Sequence, residues 1–165
     1  MSSKKTPRKA SASSAGAPKI DIGIGEKDRK AIADGLSRFL ADSYTLYLKT
    51  HNYHWNVTGP MFNSLHVMFM NQYTEQWTAL DEIAERIRAL GFNAPGAYAV
   101  SIALTSLREG KGADGVADWK GMVQQLGTGN EAVCRTARDV LKTADDAGDD
   151  PTVDLMTQRL QTHEK

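Results

Sequence analysis

The sequence predicts an all-α chain built on a bundle of four principal helices, and three observations carry that prediction. Two long stretches, from Glu26 to Asn56 and from about Phe62 to Leu90, repeat apolar residues at helical spacing. Gly59-Pro60, Gly91 and Asp150-Pro151 stand at the joints, where breakers and caps belong. At 165 residues and 41% hydrophobic, the chain can bury one core as a single domain, and it has no apolar run long enough to span a membrane.

In the first helix Ile32, Leu36, Phe39, Leu40, Tyr44 and Tyr47 form the core stripe. In the second, Leu65, Phe69, Leu80, Ile83, Ile87 and Leu90 share a face that packs on the bundle. His66, Met70, Trp77 and Asp81 make another face of that helix, about 120° round. Large apolar side chains off the core stripe predict that this face is covered as well, most simply by a second copy of the chain. Gln76 is a polar residue on the core face and requires a hydrogen-bond partner. The Gly/Pro-rich crossing FNAPGAYAVSIALTSLREGKGADG leads to a third helix from about Val116 to Ala144, where Gly127 and Gly129 predict a kink. Asp150-Pro151 reads as the cap and first-turn pair of a fourth helix, which spans about 22 Å against about 43 Å for the second.

The candidate site lies on the first two helices. KTHNYHWNVTG places His54 at the end of the first helix, and its short connection makes the second helix an antiparallel neighbour carrying His66. Asp81 and Glu85, at i and i+4, lean to one side of the second helix. Fifteen residues separate His66 from Asp81, about 22 Å along one helix, so the two cannot share a metal within one chain. An antiparallel copy of the helix, with a two-fold near residues 73 and 74, brings His66 of one chain opposite Asp81 and Glu85 of the other. Each dimer then holds two equivalent sites. Imidazole with carboxylate suits iron or zinc better than magnesium or calcium, and two His with two carboxylates leave room for exogenous ligands.

HNYHWNVTGPMFNSLH followed by DEIAERIRALG resembles the Dps family, the miniferritins that protect DNA in starved bacteria. The likeness spans about residues 20 to 165. It rests on His-Trp-Asn, the second His twelve residues on, and Asp-x-x-x-Glu-Arg in family order. The resemblance implies a ferritin-like four-helix bundle with a short crossover helix between the second and third helices. It also implies a hollow dodecamer and ferroxidase sites shared across two-folds. The resemblance places the family's ligands on His54, His66, Asp81 and Glu85 and implies that Fe2+ is oxidised there to Fe3+ by hydrogen peroxide or oxygen and then stored as mineral. Family members usually carry the fourth helix further than Lys165.

Met70 departs from that pattern, which usually has a carboxylate four residues after the second His. A neutral thioether matches iron poorly, so at least one of two iron positions is expected to be weakened. The alternative this raises is a DNA-compacting structural shell with an impaired centre. Asn63 stands where the Glu-x-x-His pattern of larger di-iron bundles needs a Glu, so that chemistry is not expected.

The chain has 20 basic and 20 acidic residues, but the balance hides an asymmetry. Lys4, Lys5, Arg8, Lys9 and Lys19 lie in residues 1–19 with no acid among them, leaving fifteen basic against twenty acidic in residues 20–165. Rich in Ser, Ala, Gly and Pro, this tail is expected to be disordered and to hold DNA phosphates by counterion release. Cys134 is the only cysteine, and the tail lacks the apolar stretch of a secretory signal. With the resemblance, these features imply a cytoplasmic, nucleoid-associated protein. Asp145, Asp146, Asp149, Asp150 and Asp154 cluster at the turn into the fourth helix. The family has acidic three-fold pores near this region, making Asp149, Asp150 and Asp154 the candidates to draw in ferrous ions.

Overall fold

A computed structural model describes residues 20–108 and 118–165. Among the described residues the elements are five helices and no strand: α1 Glu26–Asn56, α2 Phe62–Ala89, α3 Tyr98–Leu104, α4 Trp119–Asp146 and α5 Asp150–His163. Helix α1 is central, packing on α2, α4 and the short crossover helix α3, while α4 also packs on α5.

The periodic stripe expected on α2 is buried throughout, from Leu65 and Phe69 to Ile83, Ile87 and Leu90. It meets Ile32, Leu36, Phe39 and Leu46 of α1, Met122, Val133 and Val140 of α4, and Met156 of α5 in one core. Tyr44 and Tyr47, expected in the α1 stripe, are only partly buried. Their hydroxyls need polar company, and the helix turns them to the rim between α1 and α2.

Helix α4 starts at Trp119, capped by the Asp118 side chain accepting from the Gly121 amide at 2.8 Å. The expected start at Val116 lies outside the described residues. Gly127 and Gly129 do not interrupt this helix. Gly129 allows a close helix crossing: a Cβ there would lie 2.8 Å from Leu46 Cδ1 of α1. Gln76 is buried as its place in the stripe requires, yet its Oε1 has no partner among the described residues. It borders a groove of about 890 Å³ between α2, α4 and the end of α5.

Asp42 fastens the crossover to the bundle. Its buried carboxylate accepts from Thr105 Oγ1, Ser106 N and Ser106 Oγ, and from Thr136 Oγ1 of α4. Four donors satisfy a charge that would otherwise be costly in the core.

Candidate metal centre

Val57 to Met61 reverse the chain between α1 and α2, with Gly59 at φ +97°, a conformation that favours glycine. The reversal faces the last turn of α1 to the first turn of α2 and stacks the rings of His54 and His66, centroids 3.8 Å apart. Each ring bonds to the other residue's backbone. His54 Nδ1 donates to the His66 carbonyl at 2.9 Å, and His66 Nδ1 donates to the His54 carbonyl at 2.9 Å. A carbonyl only accepts, so both rings carry their proton on Nδ1 and keep an unprotonated Nε2 when neutral. The His54 carbonyl belongs to the last turn of α1, where no helical donor reaches it, so the exchange also closes a helix end. Two imidazoles with fixed tautomers and free Nε2 atoms fit a borderline metal such as iron.

The carboxylates stand apart from this pair. Asp81 and Glu85 are exposed on the second half of the same continuous helix. Among the described residues, no three His, Cys, Asp or Glu of one chain gather into a metal-binding group. Met70 is one turn beyond His66 and 39% exposed. Around both halves the surface is apolar: Trp55, Phe62, Met70 and Trp77 are all exposed. Asp81 borders a groove of about 730 Å³ that also includes Tyr44, Trp77 and Tyr98. Large apolar side chains exposed near both halves are the kind of surface that a partner covers.

The Ferritin-like domain family matches residues 33–165. The "DNA protection during starvation protein" of Brevibacillus brevis is 34% identical over 135 residues, covering 82% of this chain and 91% of its own. The chain belongs to the Dps family of ferritin-like proteins. An uncharacterized low temperature-induced protein of Nostoc sp. is 37% identical, over 90% of this chain and 82% of its own length. The Dps protein of Vibrio cholerae O1, described as one of the ferritin-like diiron-carboxylate proteins, has a TM-score of 0.83 at 29% identity, with 92% of this chain and 93% of that one covered.

Within this Dps chain the acidic cluster divides. Asp150 and Asp154 are exposed. Asp149, expected with them as a pore residue, is instead fully buried. It is also the N-cap of α5, a role the sequence pattern had given to Asp150. Its carboxylate is used in accepting from Arg86 Nη2 and from the backbone and hydroxyl of Thr152, so it cannot serve a pore. Lys4, Lys5, Arg8, Lys9 and Lys19 lie outside the described residues. No described helix is long and apolar enough to cross a membrane. Cys134 is partly buried, and burial, followed by Glu164, raises its thiol pKa, which disfavours the thiolate.

Sequence reasoning missed the aromatic wall around the histidine pair. The Tyr73 ring is 5.2 Å from His54, His51 stacks on Tyr73 at 4.0 Å and meets Trp55 at a tilt with centroids 4.2 Å apart, and Tyr47 OH is 3.2 Å from His51 Nδ1. The available signal was the four-residue spacing of Tyr47, His51 and Trp55 along α1.

A fourth histidine has a different role. His163 is buried at the end of α5, its Nδ1 donating to Asn130 Oδ1 at 2.8 Å while Nε2 accepts from Arg159, which Glu75 pairs. Burial, then the Arg159 charge, lowers its pKa from 6.5 to about 4, with Glu75 opposing. Between those values the unfolded chain binds the extra proton and the folded chain does not. This contribution to stability is therefore full above pH 6.5 and falls as pH drops towards 4, by up to about 3 kcal/mol. His163→Gln is expected to flatten that part of the stability curve, measured as urea midpoints between pH 7 and pH 4.5; an unchanged slope would show that His163 does not set it.

Proposed function

We propose that this chain oxidises and sequesters ferrous iron at sites shared between two subunits of a Dps-type dodecamer, and protects DNA held by its basic tail. His54 and His66 bind Fe2+ through Nε2, and the partner subunit's Asp81 and Glu85 complete the site with hard oxygen ligands. Hydrogen peroxide or oxygen takes up the electrons, and the ferric product is stored as mineral inside the shell. Iron is both substrate and cargo. Asp150 and Asp154 are the proposed pore residues that attract it.

The observation that supports this most strongly is the paired Nδ1-to-carbonyl exchange. It holds two Nε2 lone pairs ready beside an uncovered apolar face, while the carboxylates of the same helix are too far along it to join them. A helix pairing with its own copy resolves both facts at once. The apolar surface is buried, and each histidine pair gains its acids.

Met70 limits the site. Met70→Glu is expected to add a charged oxygen one turn from His66, raising ferrous stoichiometry per site and the initial oxidation rate. Titration calorimetry under anaerobic conditions and stopped-flow oxidation with each oxidant would measure both. Unchanged stoichiometry and rate in an assembled Met70→Glu protein would remove Met70 as the handicap.

For the tail, deleting residues 1–19 is expected to leave assembly intact and to weaken DNA binding. Binding by the full chain is expected to fall as salt rises, since phosphate contacts release counterions. Gel-shift titrations at several salt concentrations decide it, and equal affinity after deletion would place any DNA contact elsewhere.

A further inference from the structure

The rings around the histidine pair form an unbroken series. From His66 the path runs to His54 at 3.8 Å, to Tyr73 at 5.2 Å, to His51 at 4.0 Å and to Tyr47 at 5.5 Å, with Trp77 5.7 Å beyond. Phenols and indoles are among the side chains most readily oxidised by one electron. Tyr47 also has a base in place for its proton: with His51 protonated on Nε2, the phenol O–H donates to Nδ1 across 3.2 Å. A phenylalanine would fill the same volume, so packing alone does not call for this hydroxyl or its imidazole.

We propose that Tyr73, His51 and Tyr47 form an electron relay that supplies the second electron for peroxide reduction when only one ferrous ion occupies the site. The inference rests on the iron-oxidising function proposed above. Reducing one hydrogen peroxide to two waters takes two electrons and two protons. With Met70 in place of a carboxylate, a second iron binds weakly, and a single Fe2+ gives one electron only.

Tyr47 gives the other through Tyr73. Its O–H bond breaks, and the proton passes to His51 Nδ1 and on to solvent. One of the two protons consumed is thereby returned, and the products are one Fe3+, one neutral Tyr47 radical and two waters. A second ferrous ion arriving later reduces the radical, which regains a proton as that iron becomes Fe3+. Over the cycle two Fe2+ are oxidised per peroxide, although they need not be bound together. The relay thus lets a site weakened at one position still consume peroxide without releasing hydroxyl radical.

The test uses the full-length assembled protein, loaded anaerobically with one ferrous ion per site and mixed with hydrogen peroxide. Freeze-quench electron paramagnetic resonance is expected to show a tyrosyl radical, lost in Tyr47→Phe and much reduced in His51→Gln. Met70→Glu loaded with two ferrous ions per site is expected to lose most of the signal, because iron then supplies both electrons. In a second arm, iron-free protein is oxidised by a photoexcited ruthenium complex with persulfate, and modified residues are mapped by mass spectrometry. Modification centred on Tyr47 supports electron transfer along these rings without iron, so a failed iron site is told apart from a failed relay. Iron oxidation with an equal radical yield in Tyr47→Phe, or photo-oxidation that bypasses Tyr47, overturns it.

Discussion

Asp81→Ala is expected to lower the initial rate of ferrous oxidation by at least about 100-fold, because it removes the oxygen ligand proposed for the shared site, where even an indirect partner is worth about 10 to 100-fold. The helix itself tolerates the change: Asp81 is exposed and forms no part of the core. His54→Ala is expected to act as strongly on the rate but through two losses. It removes one Nε2, and it also releases the His66 ring, because the stacked partner is gone and the carbonyl it binds sits on a less ordered helix end. His54→Ala therefore costs stability where Asp81→Ala does not. Stopped-flow oxidation together with thermal unfolding separates the two variants.

The largest stability effect is expected at Asp149. Asp149→Ala leaves Arg86, with 17% of its side chain exposed, facing a cavity without its anion, and it uncaps α5 at the Thr152 amide. Thr152 Oγ1 accepts from Arg86 Nε at 2.9 Å and donates to Asp149 at 2.5 Å, so Arg86 and Thr152 both depend on the same carboxylate. Removing one partner of a buried, hydrogen-bonded ion pair costs about 3–5 kcal/mol. Asp149→Asn keeps the cap acceptor and is expected to lose less. Denaturant midpoints would show the order wild type, Asn, Ala; an Ala variant within experimental error of wild type would mean that the pair contributes nothing net.

The long helices were legible in sequence because their apolar residues repeat over many turns, as with Leu65, Phe69, Ile83 and Ile87. The neighbourhood of His54 and His66 was also legible, since a five-residue connection leaves two helices no choice but to lie side by side. Their mutual carbonyl bonds were not, because the acceptors are backbone atoms that no side-chain pattern records. Asp42 illustrates a second blind spot: its partners Thr105, Ser106 and Thr136 are more than sixty residues away, and an isolated Asp in a helix reads as solvated surface. At the start of α5, Asp149 and Asp150 are adjacent and chemically identical. Only the chain direction decides which one caps and is buried and which faces out. Gly129 read as a helix interrupter because sequence shows its missing side chain but not the Leu46 side chain that takes its place.

The shared site is tested most directly by complementation between two inactive chains. His66→Ala and Asp81→Ala chains, differently tagged, are co-expressed, and the mixed assemblies carrying both tags are purified. Where one chain of each kind meets across the two-fold, one of the two sites has both defects and the other has intact histidines with an intact partner Asp81. Random pairing therefore restores about a quarter of all sites, and the mixture is expected to recover about a quarter of the wild-type oxidation rate. A mixture no faster than its two parents would contradict a site built from two subunits.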